Sequence, residues 1–508
     1  MATMTSPTRA LQAADEGQLE LEAIVAALSA QFVVSTGAKQ LVRRVRLDTF
    51  DRRLCAAGLS LEHQIVASGE RLVLTQSEGL STVAAPVTAP RWPALVDDLP
   101  TGPVRDAIAP VTGVRALMVS SDQKRRVRLF ELHNEDGKTV ARVELDEPAT
   151  AAIAAAPSRL TVCTLRGYDQ QAGRAARLLV GLGLRPVGQG EDSEPNFARP
   201  ASGTDRAEPA SVLLTKALSG NLATMRENTP GLLDDVDTEF LHDFRVAVRR
   251  TRATLKLGRS CLPEVMRSRW EPAFKGLGDL TTPVRDLDVY ELDLPMMAGW
   301  LVSTDPKELE HFATHLRSRR TTERRVLVRG LRSVGFRRLI TEWEAELAQM
   351  VAVPVDADRD QLSAGLLADL GISRAYKRVS LGGAAISDDS PAEDLHTLRK
   401  RCKELRYALE VCAPVVARDP RKRAVANLKG LQNVLGRFQD SEVQRLALRG
   451  FAEEMMADGT PASAVLAMGE LIGHLDAEQD RARREFGGAF SRFARPANQQ
   501  LMNRLGGK

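Results

Sequence analysis

The sequence predicts an α+β chain. An antiparallel β domain over residues 1–193 is followed by a linker at 194–209 and an all-α domain at 210–505. Three observations carry this. Between residues 40 and 190, short Val- and Leu-rich runs alternate with turn residues. Next comes a polar stretch rich in Pro, Gly and Ser, "GQGEDSEPNFARPASGTDRAEPAS". Beyond Ser211, apolar residues recur at helical spacing almost throughout, and one stretch is written twice.

The β domain is read from its alternation. "LVRRVRLDTF" and "RLVLTQS" have the length and Val/Leu content of strands, and "KRRVRLFELHNEDGKTVARVELD" reads as a hairpin turning at Asp136-Gly137. "DQQAGRAARLLVGLGL" changes to the 3.6-residue period of an amphipathic helix. In the helical domain, "FATHLRSRRTTERRVLVRGLRSV" and "ASAVLAMGELIGHLDAEQDRARREF" are long periodic segments. "VPVDAD" and "LGGAAISDDSPAED" read as loops, the second leading into a helix.

The repeat is the most informative feature of the helical domain. "LHDFRVAVRRTRATL" begins at Leu241 and "LHTLRKRCKELRYAL" at Leu395, an offset of 154. The same offset carries "KGLGDLTTPVRDLDV" from Lys275 onto "KGLQNVLGRFQDSEV" from Lys429. One offset holding across two motifs indicates duplication of a helical unit. The halves, about 210–355 and 360–505, are then expected to form two bundles related by a pseudo-twofold axis.

Composition narrows the function. Hydrophobic residues make up 43% of the chain, as in an ordinary globular protein. No apolar run is long enough to span a bilayer, and "MATMTSPTRALQAADEGQ" has no apolar core of a secretory signal. The five cysteines, Cys55, Cys163, Cys261, Cys402 and Cys412, are scattered without CxxC pairing, which fits reduced thiols. Residues 1–203 hold 23 basic and 23 acidic side chains, so the whole net charge of +4 falls beyond them.

The duplicated helices concentrate that charge. Positions 0, 3, 7 and 10 of a helix fall at about 0°, 300°, 340° and 280°, so they share a stripe roughly 15 Å long. His242, Arg245, Arg249 and Arg252 form one stripe; His396, Arg399, Lys403 and Arg406 form the other. Phe244, Val248 and Leu255 lie beside the first and face a core. A single basic stripe is usually a solvated face with i,i+4 partners such as Glu404 or Glu410. Two duplicated stripes, each led by histidine, point instead to an extended polyanion. Arginine forks hold phosphoryl oxygens bidentately, and histidine donates to an oxyanion. Asp286 and Asp440 are read as partners of arginines or as helix caps, not as metal ligands. His311 and His315 stand at i,i+4, but Phe312 occupies the place of the glutamate that a zinc-protease helix needs. Tyr407 is assigned to packing.

The pattern His-x-x-Arg-x-x-x-Arg/Lys-x-x-Arg, followed by Lys-x-Leu and Asp-x-[Asp/Glu]-Val and given twice, resembles the CHAD domain (conserved histidine α-helical domain). The resemblance implies two helical bundles and inorganic polyphosphate as ligand. By position it implies phosphate contacts from His242, Arg245, Arg249, Arg252 and Lys275, and from His396, Arg399, Lys400, Lys403, Arg406 and Lys429. "RAYKR", with Arg374, Lys377 and Arg378, looks like a further basic helix of that family.

The β domain is similar to the CYTH fold, the triphosphate-tunnel barrel, through "LDTFDRRLCAAGLSLEHQ" and "RLVLTQ". It departs from that pattern where the pattern carries chemistry. "LELEAI" keeps Glu20 and Glu22 of the Glu-x-Glu-x-Lys that such an enzyme needs near its start but has Ile24 for the lysine. Leu61-Glu62-His63-Gln64 replaces a basic ligand, Gln76 stands for a lysine, and "LTVCTL" lacks carboxylates. Glu144 and Asp146 remain as residues that could hold an ion. Phosphoryl transfer needs cations around the phosphates and carboxylates around a metal, so the domain is read as degenerate.

The sequence reading is therefore a non-catalytic polyphosphate-binding protein with no catalytic residues, metal or cofactor. It is placed in the cytoplasm, with polyphosphate granules as a place of association, off the membrane and with homo-oligomerisation left open. Two alternatives stand beside it: a tunnel-type metal-dependent phosphohydrolase or nucleotide cyclase, and a nucleic-acid binder. The second is disfavoured by an aromatic content of 4%, too low for base stacking.

Overall fold

The computed structural model describes residues 3–5, 8–13, 20–76, 82–86, 88, 91–149, 158–186, 205–352 and 362–507. The chain divides into two units, Met1–Arg199 and Pro200–Lys508. The linker expected at 194–209 lies outside the described residues as far as 204, and the "VPVDAD" loop lies wholly outside them.

The first unit is an antiparallel sheet with helices on one face. In chain order it comprises β1 (Thr3–Thr5), β2 (Thr8–Ala13), α1 (Leu21–Ser29), β3 (Val33–Thr36), β4 (Gln40–Thr49), α2 (Arg53–Ala56), β5 (Leu59–Val66) and β6 (Gly69–Gln76). There follow β7 (Thr82–Pro86), α3 (Pro103–Thr112), β8 (Leu117–His133), β9 (Thr139–Pro148), β10 (Arg159–Thr164), α4 (Asp169–Val180) and β11 (Leu184–Pro186). The strand order is β1-β7-β6-β5-β4-β8-β9-β10-β2-β11, with β3 on β8. β1 and β2 thus lie towards opposite ends of the order, yet only two residues separate Thr5 from Thr8, a reach of about 10 Å. The sheet is drawn round on itself, which leaves one face enclosed.

Alternation sorts the side chains between the two faces. Phe130, Leu132, Val143, Leu145, Leu160 and Val162 pack with Ile24, Leu28, Ala172 and Leu179 of α1 and α4. Val45, Leu47, Leu61, Leu72 and Leu74 pack with Val104 and Ile108 of α3. A register shift between Arg46 and Leu47 keeps β4 in step with β8. The β8–β9 hairpin turns as expected: Gly137 takes a φ of +73°, and its amide donates to Asn134 O at 3.0 Å.

The stretch that carries Glu20 and Glu22 is helical. Glu20 and Glu22 stand at the start of α1, not on a strand. Leu21, Ile24, Val25 and Leu28 recur at helical spacing, and Ile24 and Leu28 are fully buried. The period wins, and no Glu-x-Glu strand exists at that place. The strand that closes the sheet is instead Thr8–Ala13.

The second unit is helical: α5 (Ala210–Asp234), α6 (Thr238–Leu257), α7 (Glu264–Ala298), α8 (Leu309–Arg332), α9 (Val334–Ala352), α10 (Ala364–Ala384), α11 (Ala392–Val411), α12 (Arg418–Ala457), α13 (Ala462–Phe493) and α14 (Pro496–Leu505). The expected loop at "LGGAAISDDSPAED" is shorter than predicted, because α10 continues through its two glycines to Ala384. Gly383 is tolerated in the helix because Phe490 packs where a Cβ would stand, 2.0 Å away.

The duplication extends into the core. On α6, Leu241, Phe244, Val248, Thr251, Thr254 and Leu255 are buried. Their counterparts 154 residues on, Leu395, Leu398, Cys402, Leu405, Ala408 and Leu409, are buried on α11. Each large apolar side chain so buried contributes roughly 1.5–3 kcal/mol, which fixes the rotation of each helix and hence the direction of its basic stripe. Asp237 caps α6 by accepting from the amides of Glu239 and Phe240 at 2.9 and 3.2 Å. All five cysteines are free, and burial pushes the thiols of Cys402 and Cys412 up to about 12. No helix among the described residues is long and apolar enough to cross a membrane.

Candidate functional site

In the first half, α6 lies against α7 at Gly278. A Cβ added there would meet Arg252 Nη1 at 3.6 Å and Val248 at 3.9 Å, so the small residue admits the basic helix closely. Arg245 Nη1 donates to Gly278 O at 3.1 Å, Thr281 Oγ1 at 2.7 Å and Thr282 Oγ1 at 2.9 Å. These acceptors orient the guanidinium without neutralising it. Lys275 is exposed on α7, one turn before Gly278. Arg285, two turns beyond Gly278, comes close enough to His242 to act on its charge.

Burial first, then Arg285, holds the His242 imidazole below its ordinary value. Burial also pushes Arg245 down to about 10, with Arg249 and Arg285 adding to the effect and Asp286 opposing it. Burial is the first cause in both groups, and the neighbouring cations add to it. Among the described residues, no carboxylate stands within 4.0 Å of His242, Arg245, Arg249, Arg252, Lys275 or Arg285. Asp288, the second acid of "RDLDV", is buried and held by Arg320 Nε at 2.7 Å. Arg320 also reaches Asp235 at 2.8 Å, pinning α8 to α7 and to the α5–α6 turn.

The second half uses matching residues differently. His396 Nδ1 meets Gln439 Oε1. Arg399 is ion-paired to Asp440 at 2.8 Å, Arg406 to Glu410 at 2.8 Å, and Lys400 to Glu393 at 3.9 Å. Lys403 and Lys429 have no such partner among the described residues. Lys403 is half-buried, and its ammonium is pushed down to about 8 by burial, then by Arg399 and Arg249, with Asp440 opposing. On α10, Arg374 and Lys377 are exposed, and Arg378 pairs with Glu404 at 2.8 Å. Glu404 also takes Lys256 of α6, so Arg378 and Lys256 share one carboxylate.

Contacts between the halves obey the offset. Lys256 pairs with Glu404 and Arg250 with Glu410, at 3.3 Å for the latter. Glu404 is the counterpart of Arg250, and Glu410 that of Lys256. Reciprocity of this kind, i to the image of j and j to the image of i, is the signature of a twofold axis. Tyr290 Oη donates to the carbonyl of its own counterpart, Gln444, at 3.4 Å, so that residue lies on the axis. Arg249 and Lys403 are also counterparts, and each lies within the electrostatic reach of the other. The two stripes approach one another at the axis, each contributing a cation.

Arg285 is the functional candidate that sequence reasoning missed. Its counterpart is Gln439, so a search by repeat passes over it. The visible signal was a second basic residue, ten positions after Lys275, inside a motif otherwise read for its acids.

In the β unit, the surviving carboxylates already have partners. Arg44 Nη2 reaches Glu144 at 2.6 Å and Asp146 at 3.1 Å, and its Nη1 reaches Glu62 at 3.4 Å. Arg125 Nε donates to Asp146 at 2.6 Å. Gln64 accepts from Arg71 at 2.9 Å and donates to Glu62 at 2.8 Å. Burial opposes the charge on Arg44, but Glu62, Asp146 and Glu144 outweigh it and raise its pKa. Among the described residues no cluster of three or more His, Cys, Asp or Glu is placed to hold a metal ion.

Comparison with known proteins matches residues 216–449 to the family model of the CHAD domain. The solved CHAD domain of the plant Ricinus communis is 22% identical, covers 59% of this chain and 97% of its own, and superposes with a TM-score of 0.48. A Bacillus halodurans protein described as an adenylate cyclase is 14% identical over 39% of this chain and 98% of its own, with a TM-score of 0.25. The Hippeastrum protein HpAC1, described as an adenylyl cyclase with a dominant triphosphatase activity, is 14% identical over 38% of this chain and 93% of its own, with a TM-score of 0.24. No curated protein matches the chain.

Proposed function

With a CHAD domain over residues 216–449 as its premise, we propose that this chain binds inorganic polyphosphate, without catalysis, on the basic faces of α6 and α11. The observation that carries the reading is the meeting of Arg249 and Lys403 at the pseudo-twofold axis, with cations that lack carboxylates on both sides of it. A linear chain of phosphates reaches both stripes at once and relieves the repulsion among the cations. A compact anion reaches one stripe. Among the described residues Phe50, in the β unit and 38% exposed, is the only exposed aromatic, so the helical faces offer no platform for stacking bases. A cytoplasmic place at polyphosphate granules follows from that ligand.

The β unit serves, in this reading, as a scaffold. Glu144 and Asp146 would have to leave Arg44 and Arg125 before binding a divalent ion. The test is competition for labelled long-chain polyphosphate bound to the full chain. Unlabelled polyphosphate is expected to displace it far better than RNA or tripolyphosphate at equal phosphate concentration. Displacement by RNA as effective as by polyphosphate would sink the reading.

A further inference from the structure

The two halves match in sequence but not in the state of their charges. Each has a histidine, a lysine at the start of its second motif and basic residues along one stripe. In the first half, Arg245 is held by a carbonyl and two threonine hydroxyls, all neutral, while Asp286 forms no ion pair with it. Its counterpart Arg399 is paired to Asp440, the counterpart of Asp286. Arg252 carries no carboxylate, whereas its counterpart Arg406 is bound to Glu410. Arg285 adds a cation whose Nη1 is buried without a partner, and Gln439 stands at the equivalent place. Along the duplicated motifs the first half thus presents Arg245, Arg249, Arg252, Lys275 and Arg285 without an ion pair, Asp286 and Asp293 acting on Arg245 and Arg285 only from beyond 4.0 Å, against Lys403 and Lys429 in the second.

We infer that the first half alone forms a subsite for a short oligophosphate, and that the second half engages only a longer chain that already occupies the first. The inference rests on the polyphosphate reading of the helical unit. Its physical basis is the ion pairs. A phosphate arriving at the second half must displace Asp440 from Arg399 and Glu410 from Arg406, so part of each new contact is spent replacing an old one. At the first half no carboxylate has to leave. A long chain held at the first half brings its next phosphates to Lys403 and Lys429 at high effective concentration, which makes the exchange favourable.

The experiment is calorimetric titration of the full chain with linear tripolyphosphate and, separately, with long-chain polyphosphate. One tripolyphosphate per chain is expected. Arg252→Ala with Arg285→Ala should weaken tripolyphosphate binding roughly tenfold or more, and Lys403→Ala with Lys429→Ala by less than about twofold. Both pairs should weaken the long chain. Asp440→Asn, which frees half-buried Arg399 from its exposed partner, should bring in a second, weaker tripolyphosphate, a gain that misfolding cannot mimic. Equal loss of tripolyphosphate in the two pairs, or an Asp440→Asn chain that still takes only one, overturns the inference while leaving polyphosphate binding intact. A wild-type chain that binds the long polymer but no tripolyphosphate overturns it too. Failure of the wild type to bind the long polymer instead overturns the functional reading beneath it.

Discussion

Lys403 offers a way to detect the anion through its protons. Its ammonium faces Arg399 one turn earlier on α11, Arg249 on α6 and Asp440 on α12, and is held at about 8 in the free protein. Burial first, then the two arginines, holds it there; a phosphate chain laid across the axis adds an attraction that offsets both and raises the group towards its ordinary value near 10.4. Binding therefore raises the pKa, and a rise in pKa on binding means proton uptake at any pH between the two values. At pH 9 the free lysine is about one-tenth protonated and the bound one almost fully, so binding takes up about 0.9 of a proton; at pH 7 it takes up about 0.1. By the same linkage, affinity falls about tenfold between pH 7 and pH 9. Calorimetry at pH 9 in two buffers of different ionisation enthalpy measures the uptake. Lys403→Arg keeps the charge but cannot release it, so the variant should bind with a flatter pH dependence and lose most of the uptake. An uptake in Lys403→Arg equal to that of the wild type would refute the assignment.

Three further outcomes follow from particular contacts. A fragment from Asp205 to Gly507 should bind long-chain polyphosphate by itself; a start at Ser211 should be less stable, because it loses the Arg206–Asp369 pair at 2.8 Å and the hydrogen bond that the Ala364 N–H donates to Glu208 O at 2.7 Å. Denaturant unfolding of the two fragments compares them directly. Arg320→Ala should lower stability by about 3 kcal/mol, since it strands the buried Asp288 carboxylate, and a double change with Asp288→Asn should recover part of that loss. The purified chain should not hydrolyse tripolyphosphate or ATP with Mg²⁺ or Mn²⁺; metal-dependent turnover that vanishes in Glu144→Ala would show that Glu144 and Asp146 leave their arginines to do chemistry.

The helical unit was legible because its period and its repeat say the same thing twice. Phe244 and Leu398, or Leu255 and Leu409, are apolar at one offset, and burying them turns both basic stripes the same way. Charge pairing was not legible in this manner. Arg245 and Arg399 look equivalent in sequence, as do Asp286 and Asp440, yet only the second couple forms an ion pair. The difference lies in Thr281 and Thr282, whose hydroxyls take Arg245 away from the acid. Arg285 escaped notice because a repeat reveals what is duplicated, and this residue is not. In the β unit the hairpin was readable from Asp136-Gly137, but Glu20 and Glu22 stand at the start of a helix that motif matching alone does not reveal. Strand Thr8–Ala13 carries no apolar alternation across "TRALQA" strong enough to announce it. Its place is set by pairing with β10 and β11, a long-range contact.

The central claim is that one polyanion is held by both halves across the axis, and charge reversal in each half tests it most directly. Long-chain polyphosphate binding by the full chain would be measured for Arg249→Glu with Arg252→Glu, and for Lys403→Glu with Lys429→Glu, with helicity checked by circular dichroism. At roughly 1.5–3 kcal/mol for each charge-assisted contact, either pair should weaken binding about a hundredfold or more, and the wild-type affinity should fall steeply with added salt. A folded variant of either pair that binds the long chain as tightly as the wild type would contradict the claim, because that stripe would then be no more than a solvated helix face.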